Sequence, residues 1–215
     1  LFFVAIAGIG TVTSLGITRV PAAGSRKPFD PVFFRDAFAT LREVLPNRPL
    51  FLCILGSAYF WFLGALFHMN ILLYVKRIME LNDLLTGLLL TAVALGIGLG
   101  SALAGRWSGN KVEFGLVPLG AIGLAAFALL LSLSFNSYPL TLVLVFLLGL
   151  FGALYSIPLN AYIQQKSPPE SKGRILATMN FLTNVGIVGA AVLFWGLHDL
   201  LGLTADLVFM IIGLS

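Results

Sequence analysis

Long apolar runs, repeated at near-regular intervals, constrain this sequence more than any other feature. A helix needs roughly 20 apolar residues to cross a hydrocarbon core. Runs of that length recur at 50–75, 84–105, 114–134, 140–163 and 175–197, giving five complete spans. Residues 1–18 read as most of a further span and 205–215 as about half of one. The expectation is an all-α, polytopic transmembrane helix bundle whose first and last helices are incomplete. Only 10% of the residues are charged and 59% are hydrophobic, whereas a soluble domain carries about 25% charged residues. Water is not the main solvent for such a chain.

Residues 1–18 lack a basic leader and a small-residue cleavage site, so they read as a span, not a signal peptide, and the chain as a piece of a longer one. Cys53 is the single cysteine and lies inside an apolar run, so it offers neither a disulfide framework nor metal-ligand spacing. No metal and no cofactor is expected. The net charge of +4 does not point to nucleic acid, because the basic residues lie between spans and form no continuous face.

Orientation explains those residues better. One set of alternate connections, 19–49, 106–113 and 164–174, holds Arg19, Arg26, Lys27, Arg35, Arg42, Arg48, Arg106, Lys111, Lys166, Lys172 and Arg174. The other set, 76–83, 135–139 and 198–204, holds Lys76 and Arg77, a ratio of eleven to two. The positive-inside rule places the first set in the cytoplasm.

The connection 19–49 carries structure of its own. Asp30-Pro31 supplies an N-cap followed by proline, Phe29 and Phe34 form a hydrophobic staple, and Pro46 closes the segment. A helix from about Pro31 to Leu45 follows, with Phe33, Phe34, Ala37, Phe38, Leu41, Val44 and Leu45 on one stripe and Arg35, Asp36, Arg42 and Glu43 on the other side. It either lies on the cytoplasmic membrane surface or packs against the inner ends of the bundle.

Within 50–75, Trp61, Gly64, Ala65 and His68 share a face. An imidazole at that depth needs a polar partner or water, so His68 either lines a cavity or bonds a neighbouring helix. Asn70 points elsewhere and is expected to bond across to another helix. Within 84–105, Gly87, Thr91, Ala94, Gly98, Ser101 and Gly105 form a small-residue stripe of the kind that lets helices pack closely. Gly96, Gly98 and Gly100 do not make a phosphate loop, since the preceding strand and the lysine are missing. The run 114–134 reads as a packing or lipid-facing helix. A second small-residue stripe, Gly149, Gly152, Ala153, Ser156 and Asn160, runs along 140–163 with Pro158 in its last turns. Ser167-Pro168-Pro169 stops that helix, and Gly173 suits backbone angles that other residues avoid. Beyond it, Ala177, Asn180 and Asn184 share a face, with Thr183 beside it.

The stretch from Asn160 to Asn184, with Ser-Pro-Pro, Lys-Gly-Arg and Asn-Phe-Leu-Thr-Asn, resembles the loop between the tenth and eleventh helices of major facilitator superfamily transporters. More narrowly it resembles the bacterial lysophospholipid transporter branch, which includes members fused to acyltransferase and acyl-carrier-protein synthetase domains. Phe60-Trp61, Gly64-Ala65 and His68 are similar to that branch's seventh helix. The turn at Arg106 and Lys111 is similar to the superfamily's short basic turn, although Ser101 and Gly105 stand where a glycine and an acidic residue are usual. The resemblance implies that 1–18 is the last helix of an N-terminal half. Residues 19–48 would be the central cytoplasmic loop, and 49–215 the C-terminal six-helix half with helix twelve truncated.

It further implies a multi-pass transporter of the bacterial inner membrane. The substrate would be lysophospholipid, such as lysophosphatidylethanolamine, moved by alternating access for reacylation. His68, Trp61, Asn180 and Asn184 are the candidate substrate lining, and Arg106, Lys111, Asn160, Lys172, Gly173 and Arg174 the candidate gating or structural motif. The implied partners are membrane lipid, the missing N-terminal half and a fused or separate acyltransferase. A carrier of a small hydrophilic solute or drug is the main alternative. Catalysis within this segment is not expected, because His198-Asp199 lacks the four-residue spacing of the soluble acyltransferase motif.

Overall fold

The computed structural model describes residues 2–17, 33–109, 111–133 and 137–215. It falls into two compact units, Leu1–Val32 and Phe33–Ser215. The first contains helix α1 (Phe2–Ser14). Along it, the Thr11 hydroxyl donates to the Ala7 carbonyl at 2.9 Å and Ser14 to that of Thr11 at 2.7 Å, so the hydroxyls of an apolar helix are satisfied by its own backbone. The predicted cap and staple at Phe29, Asp30 and Pro31 lie outside the described residues.

The second unit contains α2 (Phe33–Val44), α3 (Arg48–Leu73), α4 (Asp83–Ser108), α5 (Leu116–Ser132), α6 (Tyr138–Lys166), α7 (Lys172–Trp195) and α8 (Ala205–Leu214). Among the described residues four helices are long and apolar enough to cross a membrane: α3 and α7, each with a turn added at its C-terminal end, together with α4 and α6. The predicted span at 114–134 is shorter than expected. Phe114 and Gly115 belong to a turn in which the Leu116 N–H donates to the Glu113 carbonyl at 3.3 Å, and the 17 residues of α5 rise only about 26 Å. Local chemistry sets the other boundaries. The Asn47 side chain caps α3 by accepting from the Leu50 N–H, Asn82 caps α4 by accepting from that of Leu85 at 2.9 Å, and α6 stops at Ser-Pro-Pro as expected.

Packing follows an internal repeat. α4 lies along α6 and α3 along α7; α5 touches α6, and α3 touches α8. Exchanging α3, α4 and α5 with α6, α7 and α8 maps each of these contacts onto another, the arrangement of inverted repeats in secondary transporters. Similar turns follow α3 and α7, at the end away from most of the basic residues, although the repeat pairs α3 with α6 and α4 with α7. In the first, a π-helical turn (Tyr74–Ile78) ends with N–H groups of Met79 and Leu81 donating to the carbonyls of Tyr74 and Val75 at 3.1 and 2.9 Å. In the second, Gly196–Leu200, the N–H groups of Leu201 and Leu203 donate to Gly196 and Leu197 at 3.1 and 3.0 Å. The left-handed residue in each is Glu80 (φ 53°) or Gly202 (φ 64°). Lys76 and Asp83 form an ion pair across the first turn.

The tightest packing is between α4 and α6. A Cβ built at Gly96 would lie 2.0 Å from the Phe146 carbonyl oxygen, one at Gly100 2.3 Å from that of Leu150, and one at Gly149 2.3 Å from that of Val93. Backbones therefore meet with nothing between them. On α6 these contacts fall in part on the predicted stripe, at Gly149 and Ala153 beside Phe146 and Leu150. On α4 they do not: Leu89, Ala92, Gly96, Gly100 and Ala104 are buried, while space around Gly87, Gly98 and Gly105 is open. The expected α4 face is not the packed one: it lies on the opposite side of the helix from Gly96 and Gly100, and since small residues line both sides, spacing alone does not choose between them. α5 adds Gly120 and Gly123, pressed against Tyr155 and Phe151 of α6.

Candidate functional site

One stripe of α3 changes character along its length. Leu50, Ile54 and Ser57 are buried near the helix start, Val75 is buried at its far end, and between them Trp61, Gly64 and His68 are exposed. The covered ends belong to two different apolar clusters, one around Leu50, Ile54, Leu159 and Ile163, the other around Leu66, Val75, Val145 and Phe209. The open interval is thus the middle of a membrane-length helix. Trp61 stays 48% exposed, its ring edge-on to Phe60 at 5.9 Å, and no Cβ contact arises at Gly64 within 4 Å. His68 makes no hydrogen bond with the described residues.

On α7 the corresponding open face carries Ala177, Asn180 and Asn184. The Asn184 Nδ2 donates to the Asn180 carbonyl at 2.8 Å, a bond within the helix and not to a partner. Its carbonyl oxygen is the group left to point outward. α3 and α7 pack through Phe62 and Ala58 against Gly186, where an added Cβ would meet the Ala58 carbonyl at 3.2 Å. The four predicted lining residues therefore occupy open faces of two adjoining helices, and no hydrogen bond or ring contact joins the pair on α3 to the pair on α7 among the described residues. Two hydroxyls flank this surface: Ser57 Oγ and Thr183 Oγ1 are buried and find no partner among the described residues. Ser57 escaped the sequence reading, although extending the Trp61, Gly64, His68 spacing back by one turn reaches it.

Asn70 behaves as expected. Its Nδ2 donates to the Ala205 carbonyl at 2.8 Å and so ties α3 to the start of α8.

The predicted gating set is dispersed at the end of the bundle where the basic connections gather. Arg106 is exposed in the last turn of α4. Lys111 lines a groove of about 470 Å³ together with Gly105, Ser108, Pro158, Ala161 and Gln164. The Asn160 Nδ2 donates to the Ser156 carbonyl of its own helix at 2.9 Å, in the turn where Pro158 removes a backbone donor. Lys172 and Gly173 open α7, and Gly173 is helical with no left-handed φ. The special backbone expected there is absent; among the described residues the left-handed glycines are Gly109 and Gly202. Arg174 pairs with Glu43 of α2. His198 is held in the turn after α7, its Nδ1 3.2 Å from the Leu203 carbonyl oxygen and its ring stacked on Phe194 at 6.0 Å. No cluster of three or more His, Cys, Asp or Glu suited to a metal occurs among the described residues.

Membrane-length helices, an inverted repeat and an open polar interval at mid-span define a multi-pass membrane protein of the transporter kind. The chain belongs to the Major Facilitator Superfamily, whose family model matches residues 1–191. Among similar proteins are those named lysophospholipid transporter LplT from Yersinia pestis (strain Pestoides F) and Yersinia pseudotuberculosis serotype O:3 (strain YPIII). Each is 27% identical over 183 residues, covering 84% of this chain and 45% of the relative. The chain thus spans about half the length of these relatives. No solved structure matches it significantly.

Proposed function

We propose that the chain is the C-terminal half of a carrier that moves lysophospholipid across a bacterial inner membrane by alternating access, delivering it for reacylation by a fused or separate acyltransferase. The observation that carries this reading is the open interval on α3 and α7, where Trp61, His68, Asn180 and Asn184 interrupt an apolar surface. A single-tailed zwitterionic lipid needs both kinds of surface. Trp61 and His68 offer N–H donors on one helix, suited to a phosphate. The Asn184 carbonyl, with its amide hydrogen engaged by the Asn180 carbonyl, offers an acceptor on the other, suited to an ammonium. The similarity to proteins named lysophospholipid transporters supports the same substrate class.

In this reading residues 1–18 end the N-terminal half, 19–48 form the central loop, and 49–215 form the second half with the end carrying Lys172 and Arg174 in the cytoplasm. A carrier of small hydrophilic solutes is the rival. It is disfavoured by the scarcity of charge on the spans, which suits a greasy guest better. The test is headgroup flipping by the full-length protein in proteoliposomes, with His68→Ala and Asn180→Ala beside the parent. Reduced flipping in either variant, with lysophospholipid competing and small solutes not, supports the assignment. Unchanged flipping in both removes these residues from the mechanism.

A further inference from the structure

α2 sorts its side chains into more sectors than the two of an ordinary amphipathic helix. Ala37, Thr40 and Val44 are buried, the last within the apolar cluster that surrounds the start of α3. Glu43 on the next sector pairs with Arg174 of α7, and Asp36 stands one heptad before it on the same side. On the opposite flank Phe34, Phe38 and Leu45 recur at helical spacing; Phe38 is 61% and Leu45 52% exposed, while the Phe34 ring also meets Phe181 of α7 edge-on at 5.3 Å. Directly beyond that apolar flank lie Arg35 and Arg42, seven residues apart on one line, exposed and without an ion pair among the described residues. The acids thus face the bundle side and the bases border the exposed apolar edge.

Position fixes what such an edge meets. Only Leu45, Pro46 and Asn47 separate α2 from the first residue of α3, and a connection that short reaches at most about 14 Å even fully extended. α2 is therefore held at the level where a membrane-length helix begins. An apolar row bordered by arginines, at that level, matches the boundary between acyl chains and phosphates. We infer that α2 is an interfacial anchor that seats Phe38 and Leu45 in the bilayer and reads anionic phospholipid headgroups through Arg35 and Arg42. The inference is independent of the transported substrate.

The experiment uses the full-length protein in nanodiscs, with a bimane label on Phe38→Cys or, as the control on the remaining exposed side, Ala39→Cys. The buried Cys53 alone gives the background. Lipids brominated high on the acyl chain should quench bimane at 38 and leave 39 nearly unquenched. Quenching at 38 should rise when phosphatidylglycerol is added to phosphatidylcholine. The seated-to-unseated ratio should fall about fivefold for each arginine replaced in Arg35→Gln and Arg42→Gln. If the double variant does not insert, raising the ionic strength of the parent sample should produce the same fall. Equal quenching at 38 and 39, indifference to phosphatidylglycerol and salt, or a position 38 shielded from both bromolipid and aqueous iodide would overturn the inference; the last result would mean that protein covers it.

Discussion

The α4–α6 and α3–α7 pairs are equivalent under the internal repeat, yet they are built differently. In the first, glycines bring backbone onto backbone, with Cβ positions at Gly96, Gly100 and Gly149 already occupied by the facing chain. In the second, the Phe62 side chain spaces the helices, and an added Cβ at Gly186 would find its nearest neighbour at 3.2 Å where those on α4 and α6 would find theirs at 2.0–2.3 Å. Of the four membrane-length helices, α6 is the most buried and α7 the least. One pair of a symmetric set acts as scaffold while its counterpart keeps polar residues on an open face. Pseudo-symmetry in this fold therefore does not mean equal rigidity, and the candidate site lies on the looser pair.

The sharpest way to break this contrast is to add a methyl group to each pair. Gly96→Ala should unfold the protein or cost at least about 3 kcal/mol, since the clash is with backbone that cannot rotate away. Gly186→Ala should cost less than about 1 kcal/mol, and Gly98→Ala, on the open row of α4, should be neutral or stabilising by up to about 1 kcal/mol through helix propensity. Thermal unfolding in detergent distinguishes them, and similar losses at 96 and 186 would end the distinction between scaffold and open pair.

Asn70 comes next. Asn70→Ala removes the tie to Ala205 and should lower stability by about 1–2 kcal/mol, whereas Ser57→Ala, which removes a hydroxyl with no partner among the described residues, should change it little. The two π-helical turns offer a further comparison. Gly202→Ala puts a side chain on a left-handed backbone and should cost about 1 kcal/mol, while Glu80→Gly should gain up to about as much. Opposite signs are the expected result. The smallest effect belongs to the exposed Arg174–Glu43 pair, where Glu43→Gln should shift stability by less than about 1 kcal/mol and the shift should fade with salt.

How far the sequence anticipates this structure depends on whether one residue's chemistry decides the outcome. Asn70 is legible because a buried amide in an apolar helix has to bond somewhere, and Ser-Pro-Pro is legible because proline cannot continue α6. The α4 packing row is not, because Gly96 and Gly98 lie on opposite faces, both lined by small residues, and only the position of α6 selects between them. The π-helical turns are equally hidden: Glu80 carries no preference for left-handed backbone, and tertiary closure imposes it. At the candidate site, spacing alone groups Trp61 with His68 and Asn180 with Asn184 on shared helix faces, but it does not say that those faces are open. The bond that turns Asn184 onto its own helix depends on rotamer choice, which spacing does not encode.

The proline inside α6 carries a mechanical consequence. Without an N–H at Pro158, the carbonyl of Leu154 loses its donor in the ladder, just where Asn160 and Ser167 lend side-chain bonds to the carbonyls of Ser156 and Ile163. The last two turns of α6 thus form a compliant tip on a stiff shaft. Amide protons beyond Pro158 should exchange with solvent well before those at Gly149, so bending at this tip would let the basic end of the helix yield while its seam with α4 stays closed.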